Sequence, residues 1–172
     1  MSRILKQVLG ANEAYARDFG DKAKLPMPPG RHFAVLTCMD ARLDPAKFLG
    51  LEEGDAHVIR NAGGVVSDDA LRSLVISHWL LGTQEVAVIA HTDCGMLTFT
   101  NDDLRGRLRE EADADASHVD FRPFPDLQES VRESLRAMRE SPFLPDSLEL
   151  SGWIYDVHDG RLAEVREAAR VA

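Results

Sequence analysis

The first twenty residues carry apolar side chains at a helical spacing. Intervals of four, three, four and four residues separate Ile4, Val8, Ala11, Tyr15 and Phe19. This periodicity predicts an amphipathic helix over residues 1–20 with one continuous apolar face. Such a stripe is too apolar to be left in water, so we expect it to be covered.

Three short apolar runs follow, rich in Val and Ile, and each ends at polar residues. They are His32–Thr37, Asp55–Arg60 and Glu85–Ala90. Between the second and third runs, residues 68–81 have a helical pattern with Ser67 as a good N-cap. Short buried strands separated by helices are typical of a parallel sheet with covered faces. The pattern therefore predicts an α/β fold, with a central, mainly parallel β-sheet flanked by helices.

The second half of the chain continues this alternation. Leu127–Arg139 predicts another helix, and Leu150–Val157 predicts a strand followed by a tight turn at Asp159 and Gly160. Residues 102–116 are acidic and polar, which predicts a surface helix or loop. No internal repeat or low-complexity tract interrupts the pattern, so we expect residues 1–172 to form a single domain.

The net charge and the length of the apolar runs exclude several classes of function. Twenty Lys and Arg residues against 29 Asp and Glu give a net charge of −9. A nucleic-acid or anionic-membrane binder normally presents a basic face, so we expect neither partner. No run approaches the ~20 apolar residues of a membrane span, and the N-terminus lacks a signal-peptide pattern. These features predict a cytoplasmic protein.

Two cysteines and one histidine stand directly after predicted strands. Cys38 lies in the segment CMDAR after the first strand, and His91 and Cys94 lie in HTDCG after the third. In a reducing compartment a disulfide is not expected, and the carboxyl ends of neighbouring parallel strands share one crevice. Two thiolates and an imidazole suit Zn²⁺, and three ligands leave one coordination position for water. The spacing therefore predicts a catalytic rather than a structural zinc site.

Four segments, CMDAR, HVIRNAGG, HTDCGM and GWIYDVHDGRL, together resemble the β-class carbonic anhydrases in order and approximate spacing. The match covers a catalytic core of residues 31–165. The resemblance implies an enzyme that hydrates CO₂ reversibly to bicarbonate by means of a zinc-bound hydroxide, with one Zn²⁺ per chain held by Cys38, His91 and Cys94. It also implies a homodimer or a dimer of dimers, in which the N-terminal helix of residues 1–20 packs on the partner subunit.

The residues around the predicted ligands have roles that the resemblance suggests. Asp40 would accept a hydrogen bond from the reacting water, Arg42 would hold Asp40 ionised, and the backbone N–H of Gly95 would hold a substrate oxygen. In some members of this family the matching Asp becomes a fourth zinc ligand and closes the site. Those members often have a bicarbonate pocket. Arg60 matches its arginine, but Val35 occupies its tryptophan position, so we expect the open site.

Other readings of the same residues remain open. A carbonyl sulfide or carbon disulfide hydrolase on the same fold would carry the same motifs. A non-catalytic, zinc-stabilised structural or regulatory module would use Asp40 as a closing ligand. Thiol redox chemistry is disfavoured because the chain has no Cys-x-x-Cys. We interpret His57 as a solvated or interface histidine rather than a proton shuttle, and Trp153 and Tyr155 as strand packing.

Overall fold

The centre of the computed structural model, which describes residues 1–166, is a five-stranded sheet. Its strands are β1 (Phe33–Cys38), β2 (Ala56–Asn61), β3 (Glu85–His91), β4 (Glu149–Tyr155) and β5 (Leu162–Glu164). The spatial order is β2-β1-β3-β4-β5, and every neighbouring pair is parallel except β4 and β5. The predicted mainly parallel α/β fold is thus confirmed.

Within residues 1–166, five α-helices accompany the sheet. They are α1 (Arg3–Arg17), α2 (Pro45–Leu49), α3 (Asp68–Leu81), α4 (Asn101–Ala112) and α5 (Leu127–Arg139). The bounds of α3 and α5 agree with the sequence pattern. In α3 the Ser67 hydroxyl accepts the Ala70 N–H at the start, and Gly82 ends the helix in the left-handed conformation. The first helix ends earlier than the predicted Gly20, and a short 3₁₀ turn follows it.

The central strands β1 and β3 are buried on both faces, as their nearly continuous apolar runs require. On one face, α3 and α5 pack over a core that includes Leu36, Leu74, Val88, Val131 and Leu135. On the other face a smaller cluster joins strand residues to aromatic rings, namely Val35, Ala87, Ile89, Phe48 and Trp153. The Trp153 and Tyr155 side chains take part in this packing, as we interpreted from the sequence.

The strand order creates a topological switch point between β1 and β3. From β1 the chain passes through α2 to β2 on one side, whereas from β3 it passes through α4 and α5 to β4 on the other side. Connections that leave two neighbouring strands in opposite directions open a crevice at their carboxyl ends. Cys38 and His91 are the last residues of these two strands, so the fold places them at that crevice.

Helix α1 stands apart from the rest of the domain. None of its residues is buried, and Ile4 and Val8 are 70% and 56% exposed. Its end is held by Glu53, which accepts a hydrogen bond from the Tyr15 hydroxyl and pairs with Lys22 at 2.6 Å. Over residues 1–166, no helix combines the length and the apolar character that crossing a bilayer would demand.

Candidate metal centre

The carboxyl ends of β1 and β3 bring the three predicted ligands together. The sulfurs of Cys38 and Cys94 and a ring nitrogen of His91 all lie within 4.8 Å of one another, and all three side chains are buried. Asp93 sits between the two ligands of the second segment in the left-handed conformation, with φ of 54°. That turn brings Cys94 back towards β1, which the spacing of His91 and Cys94 alone does not guarantee.

The hydrogen bonding of His91 fixes which nitrogen is free. Its Nδ1 lies 2.8 Å from the carbonyl oxygen of Thr92, and because a carbonyl only accepts, Nδ1 carries the proton. The lone pair is therefore on Nε2. Within residues 1–166, Nε2 of His91 is the one buried side-chain nitrogen or oxygen without a hydrogen-bond partner. A buried acceptor without a partner is costly in free energy, and a metal ion at this position would satisfy it.

The two sulfurs influence each other's protonation. A hydrogen bond from the Cys94 thiol lowers the pKa of Cys38, and backbone N–H groups of Asp40 and Gly63 add to this effect against the opposing effect of burial. The same contact, together with burial, raises the pKa of Cys94. A divalent cation bound between the two sulfurs would let both thiols ionise.

The turn after β2 supports the position of Cys38. Gly64 has a φ of 65°, and a Cβ there would lie 2.8 Å from the backbone nitrogen of Cys38 and 2.8 Å from the carbonyl carbon of Thr37. Only glycine allows this approach, because a methyl group would displace the backbone of β1. Gly64 therefore packs directly on the backbone that carries the first ligand.

Asp40 and Arg42 form a two-pronged ion pair beside the ligands. Arg42 donates from Nε to Oδ1 at 3.0 Å and from Nη2 to Oδ2 at 2.8 Å, and its backbone N–H also bonds Oδ1. These bonds hold the pKa of Asp40 well below its usual range. Oδ2 lies 3.8 Å from Nε2 of His91, so the carboxylate borders the ligand cluster while it remains bound to Arg42.

Two further contacts tie the second ligand segment into place. Arg42 Nη2 donates to the carbonyl of Asp93 at 3.0 Å. The Thr92 hydroxyl donates to Asp156 and accepts the N–H of Val157, which joins the loop to the end of β4. Sequence reasoning did not assign a role to Thr92 or Asp156, although both lie within the segments that carry the family resemblance.

The surroundings of Gly95 are open. The residue is exposed and directly follows Cys94, and a Cβ placed on it would meet no atom within 4 Å. His57 lies elsewhere: it is paired with Ala34 in the sheet, and its Nδ1 bonds the Ser77 hydroxyl at 2.7 Å. The position of His57 keeps it out of the metal centre.

The donor set fits zinc. Two thiolates would balance the charge of Zn²⁺, the third donor is a neutral imidazole whose free nitrogen faces them, and Asp40 does not join the cluster. Zinc held by these three residues would supply a Lewis acid, which can acidify water enough for it to act as a nucleophile. The geometry is thus that of a catalytic zinc centre.

Comparisons with known proteins agree with this centre. A family model described as carbonic anhydrase matches residues 33–162. Beta-carbonic anhydrase 1 of Mycobacterium tuberculosis is 49% identical over 168 residues, or 94% of this chain and 98% of that protein. The crystal structure of carbonic anhydrase from Streptococcus mutans matches with a TM-score of 0.92 and 47% identity, over 96% of this chain and 99% of that one.

A second kind of relative matches the chain at lower sequence identity. A carbon disulfide hydrolase from Acidianus sp. is 35% identical, over 79% of this chain and 78% of that protein. The fold and the three-donor cluster define a zinc-dependent enzyme, and the 49% identity to beta-carbonic anhydrase 1 identifies it as a lyase. The chain belongs to the β-class carbonic anhydrase family.

Proposed function

We propose that this chain catalyses the reversible hydration of CO₂ to bicarbonate at a zinc ion held by Cys38, His91 and Cys94. The observation that carries the proposal is the three-donor cluster, next to which the Asp40 carboxylate is bound to Arg42 and not to the cluster. A metal bound by three donors keeps a position for the reacting water, as hydration requires.

In this proposal Asp40 and Arg42 act as a unit. Asp40 accepts a hydrogen bond from the reacting water and so points the oxygen lone pair at the carbon of CO₂. Arg42 keeps Asp40 ionised and fixes its direction, because a guanidinium bound through two nitrogens permits little rotation of the carboxylate. Its additional bond to the Asp93 carbonyl holds the guanidinium itself.

Gly95 completes the proposed site. Its exposed position after Cys94 leaves space for a substrate oxygen to approach the main chain, where the N–H of Gly95 donates to that oxygen. A linear molecule such as CO₂ needs no side-chain pocket for this contact. The same argument applies to carbon disulfide, which is why substrate choice has to be measured.

The test is a direct comparison of two substrates on the zinc-loaded protein. We expect stopped-flow CO₂ hydration with a kcat/KM of about 10⁴–10⁸ M⁻¹s⁻¹, and little release of sulfide from carbon disulfide. Sulfide release without CO₂ hydration would instead identify a carbon disulfide hydrolase. One zinc per chain with neither activity would identify a non-catalytic zinc module.

We further infer a dimer or a dimer of dimers in which α1 of one chain covers a partner. The apolar stripe of α1 is exposed, and the helix is attached to its own domain mainly at its C-terminal end, through Glu53. Leaving this stripe in water would be unfavourable, and a second copy of the chain offers an equivalent surface.

The two buried thiols also favour a cytoplasmic location, because they must stay reduced to bind zinc.

Deleting residues 1–20 is expected to abolish the dimer and give aggregated or inactive protein, because the surface that α1 covers would be exposed. Sedimentation and CO₂ hydration report the two effects. A milder pair of variants controls for the deletion: Ile4→Ser with Val8→Ser should weaken the dimer, whereas Lys6→Ser on the opposite face should not. An active, well-behaved monomer after the deletion would contradict the proposed assembly.

A further inference from the structure

Arg60 holds the segment that carries both the first ligand and the catalytic carboxylate. From the edge strand β2, its Nε donates to the carbonyl of Cys38 at 3.0 Å, and its Nη2 donates to the carbonyl of Asp40 at 2.7 Å. Between these two contacts, the N–H of Met39 donates to the carbonyl of Asn61 at 2.8 Å. The backbones of Cys38, Met39 and Asp40 are thus all bonded to the end of β2.

The parallel register explains why Arg60 reaches this segment. Arg60 is paired with Thr37, and Asn61 is paired with Cys38. The Arg60 side chain therefore begins beside Thr37, near the end of β1, and extends past the end of that strand. A guanidinium has donors at a fixed angle, so one side chain can bind two carbonyls that are two residues apart.

These bonds act on the direction of Asp40. Arg60 and the N–H of Leu43, at 3.1 Å, hold the Asp40 carbonyl and so fix the peptide plane that follows Asp40. The bonds to the Cys38 carbonyl and from the Met39 N–H fix the plane between Cys38 and Met39. Between these two fixed planes, Asp40 places its carboxylate on Arg42. Rotation of the Asp40 backbone would therefore alter the contact with Arg42.

We propose that Arg60 is a positioning residue, which keeps the Asp40 carboxylate on Arg42 by bonding the Cys38 and Asp40 carbonyls. Two of its guanidinium nitrogens, Nε and Nη2, donate within the chain, so Arg60 does not need a bound anion to have a role. This inference rests on the proposed function, because Asp40 is the group through which Arg60 acts on the rate.

The experiment is a double-mutant cycle between Arg60→Gln and Asp40→Asn, with zinc content measured for every variant. Arg60→Gln is expected to keep about one zinc per chain and to lower kcat by roughly 10–100-fold, the size of effect that a misplacement of about 1 Å produces. Arg60→Lys should lie between it and the wild type, because an ammonium group cannot match both carbonyls. Arg107→Gln, which removes a surface charge on α4, is the control and should leave kcat unchanged.

The double variant decides between positioning and general stability. If Arg60 acts through Asp40, the double variant should be no slower than Asp40→Asn alone, within about twofold, because coupled residues are not additive. Rate losses that multiply would overturn the proposal. So would an Arg60→Gln or Arg60→Lys enzyme with the kcat of the wild type.

A crystal structure of Arg60→Gln, or of Arg60→Lys if the first variant does not fold, provides a readout that does not depend on activity. We expect the two bonds between Asp40 and Arg42 to be broken or partly occupied in it, and an unchanged pair would count against the role of Arg60. A wild-type protein that binds zinc but does not hydrate CO₂ would refute the proposed function, and the structure of the variant would still decide the role of Arg60.

Discussion

Replacing Cys38 with alanine is expected to remove both zinc and CO₂ hydration. The variant keeps His91 and Cys94, but two protein donors are too few for a stable zinc site. Metal analysis should fall from about one zinc per chain to nearly none.

The fold should survive this change, because the main core beneath α3 and α5 does not include position 38, which belongs to a smaller cluster with Met96 and Phe124. Circular dichroism therefore distinguishes metal loss from unfolding. Met39→Ala is a matched control: its side chain is 65% exposed, it adjoins Cys38, and its replacement should leave the zinc content unchanged. A full complement of zinc in the Cys38 variant would refute the ligand set.

Asp40→Asn is expected to keep zinc but slow CO₂ hydration by about 10²–10⁴-fold, the range typical of a lost acid–base or orienting group. Asparagine has nearly the same shape, but it presents an N–H₂ where the carboxylate accepts on both oxygens. It therefore loses a bond to Arg42 and no longer orients the water. Asp69→Asn, on the exposed surface of α3, controls for the loss of one negative charge and should have wild-type activity.

The pH dependence of this loss follows from the direction of the Asp40 pKa. Hydrogen bonds from Arg42 lower that pKa. In the folded protein the carboxylate is therefore ionised at every pH at which an unperturbed Asp is ionised, and it stays ionised at still lower pH. A lowered folded-state pKa stabilises the fold above the ordinary pKa, and this stabilisation disappears as the pH falls through the folded value. Between about pH 6 and about pH 9, titration of Asp40 itself should therefore contribute no change to the rate ratio of wild type to Asp40→Asn. Near-full activity of the variant at any of these pH values would show that another group orients the water.

The convergence of the metal ligands could be predicted from the sequence because it depends on strand ends. The runs before Cys38 and His91 were apolar enough to identify as buried strands, and parallel strands place their last residues at one edge. Helix α3 was equally predictable, since Ser67 and Gly82 mark its two ends chemically. Local signals of this kind need no knowledge of the tertiary structure.

The features that could not be predicted depend on short elements or on register. The three residues of β5 and the five of α2 are too short for a periodic pattern, and they form because β4 and the sheet face are already in place. Helix α4 is polar around its circumference, so its apolar pattern is weak, and reciprocal bonds between Thr100 and Asp103 start it. The contact of Arg60 with the Asp40 carbonyl requires the pairing of Arg60 with Thr37, which no local spacing encodes.

The contact between Gly64 and the backbone of β1 limits how this chain can change during evolution or design. Gly64 and Cys38 are far apart in sequence, yet any side chain at position 64 would push against the strand end that carries the sulfur. The same restriction applies when the metal donor at position 38 is replaced by another residue to favour a different metal. The new donor must reach the metal from an unshifted backbone, because the neighbouring turn leaves no room for the strand to adjust.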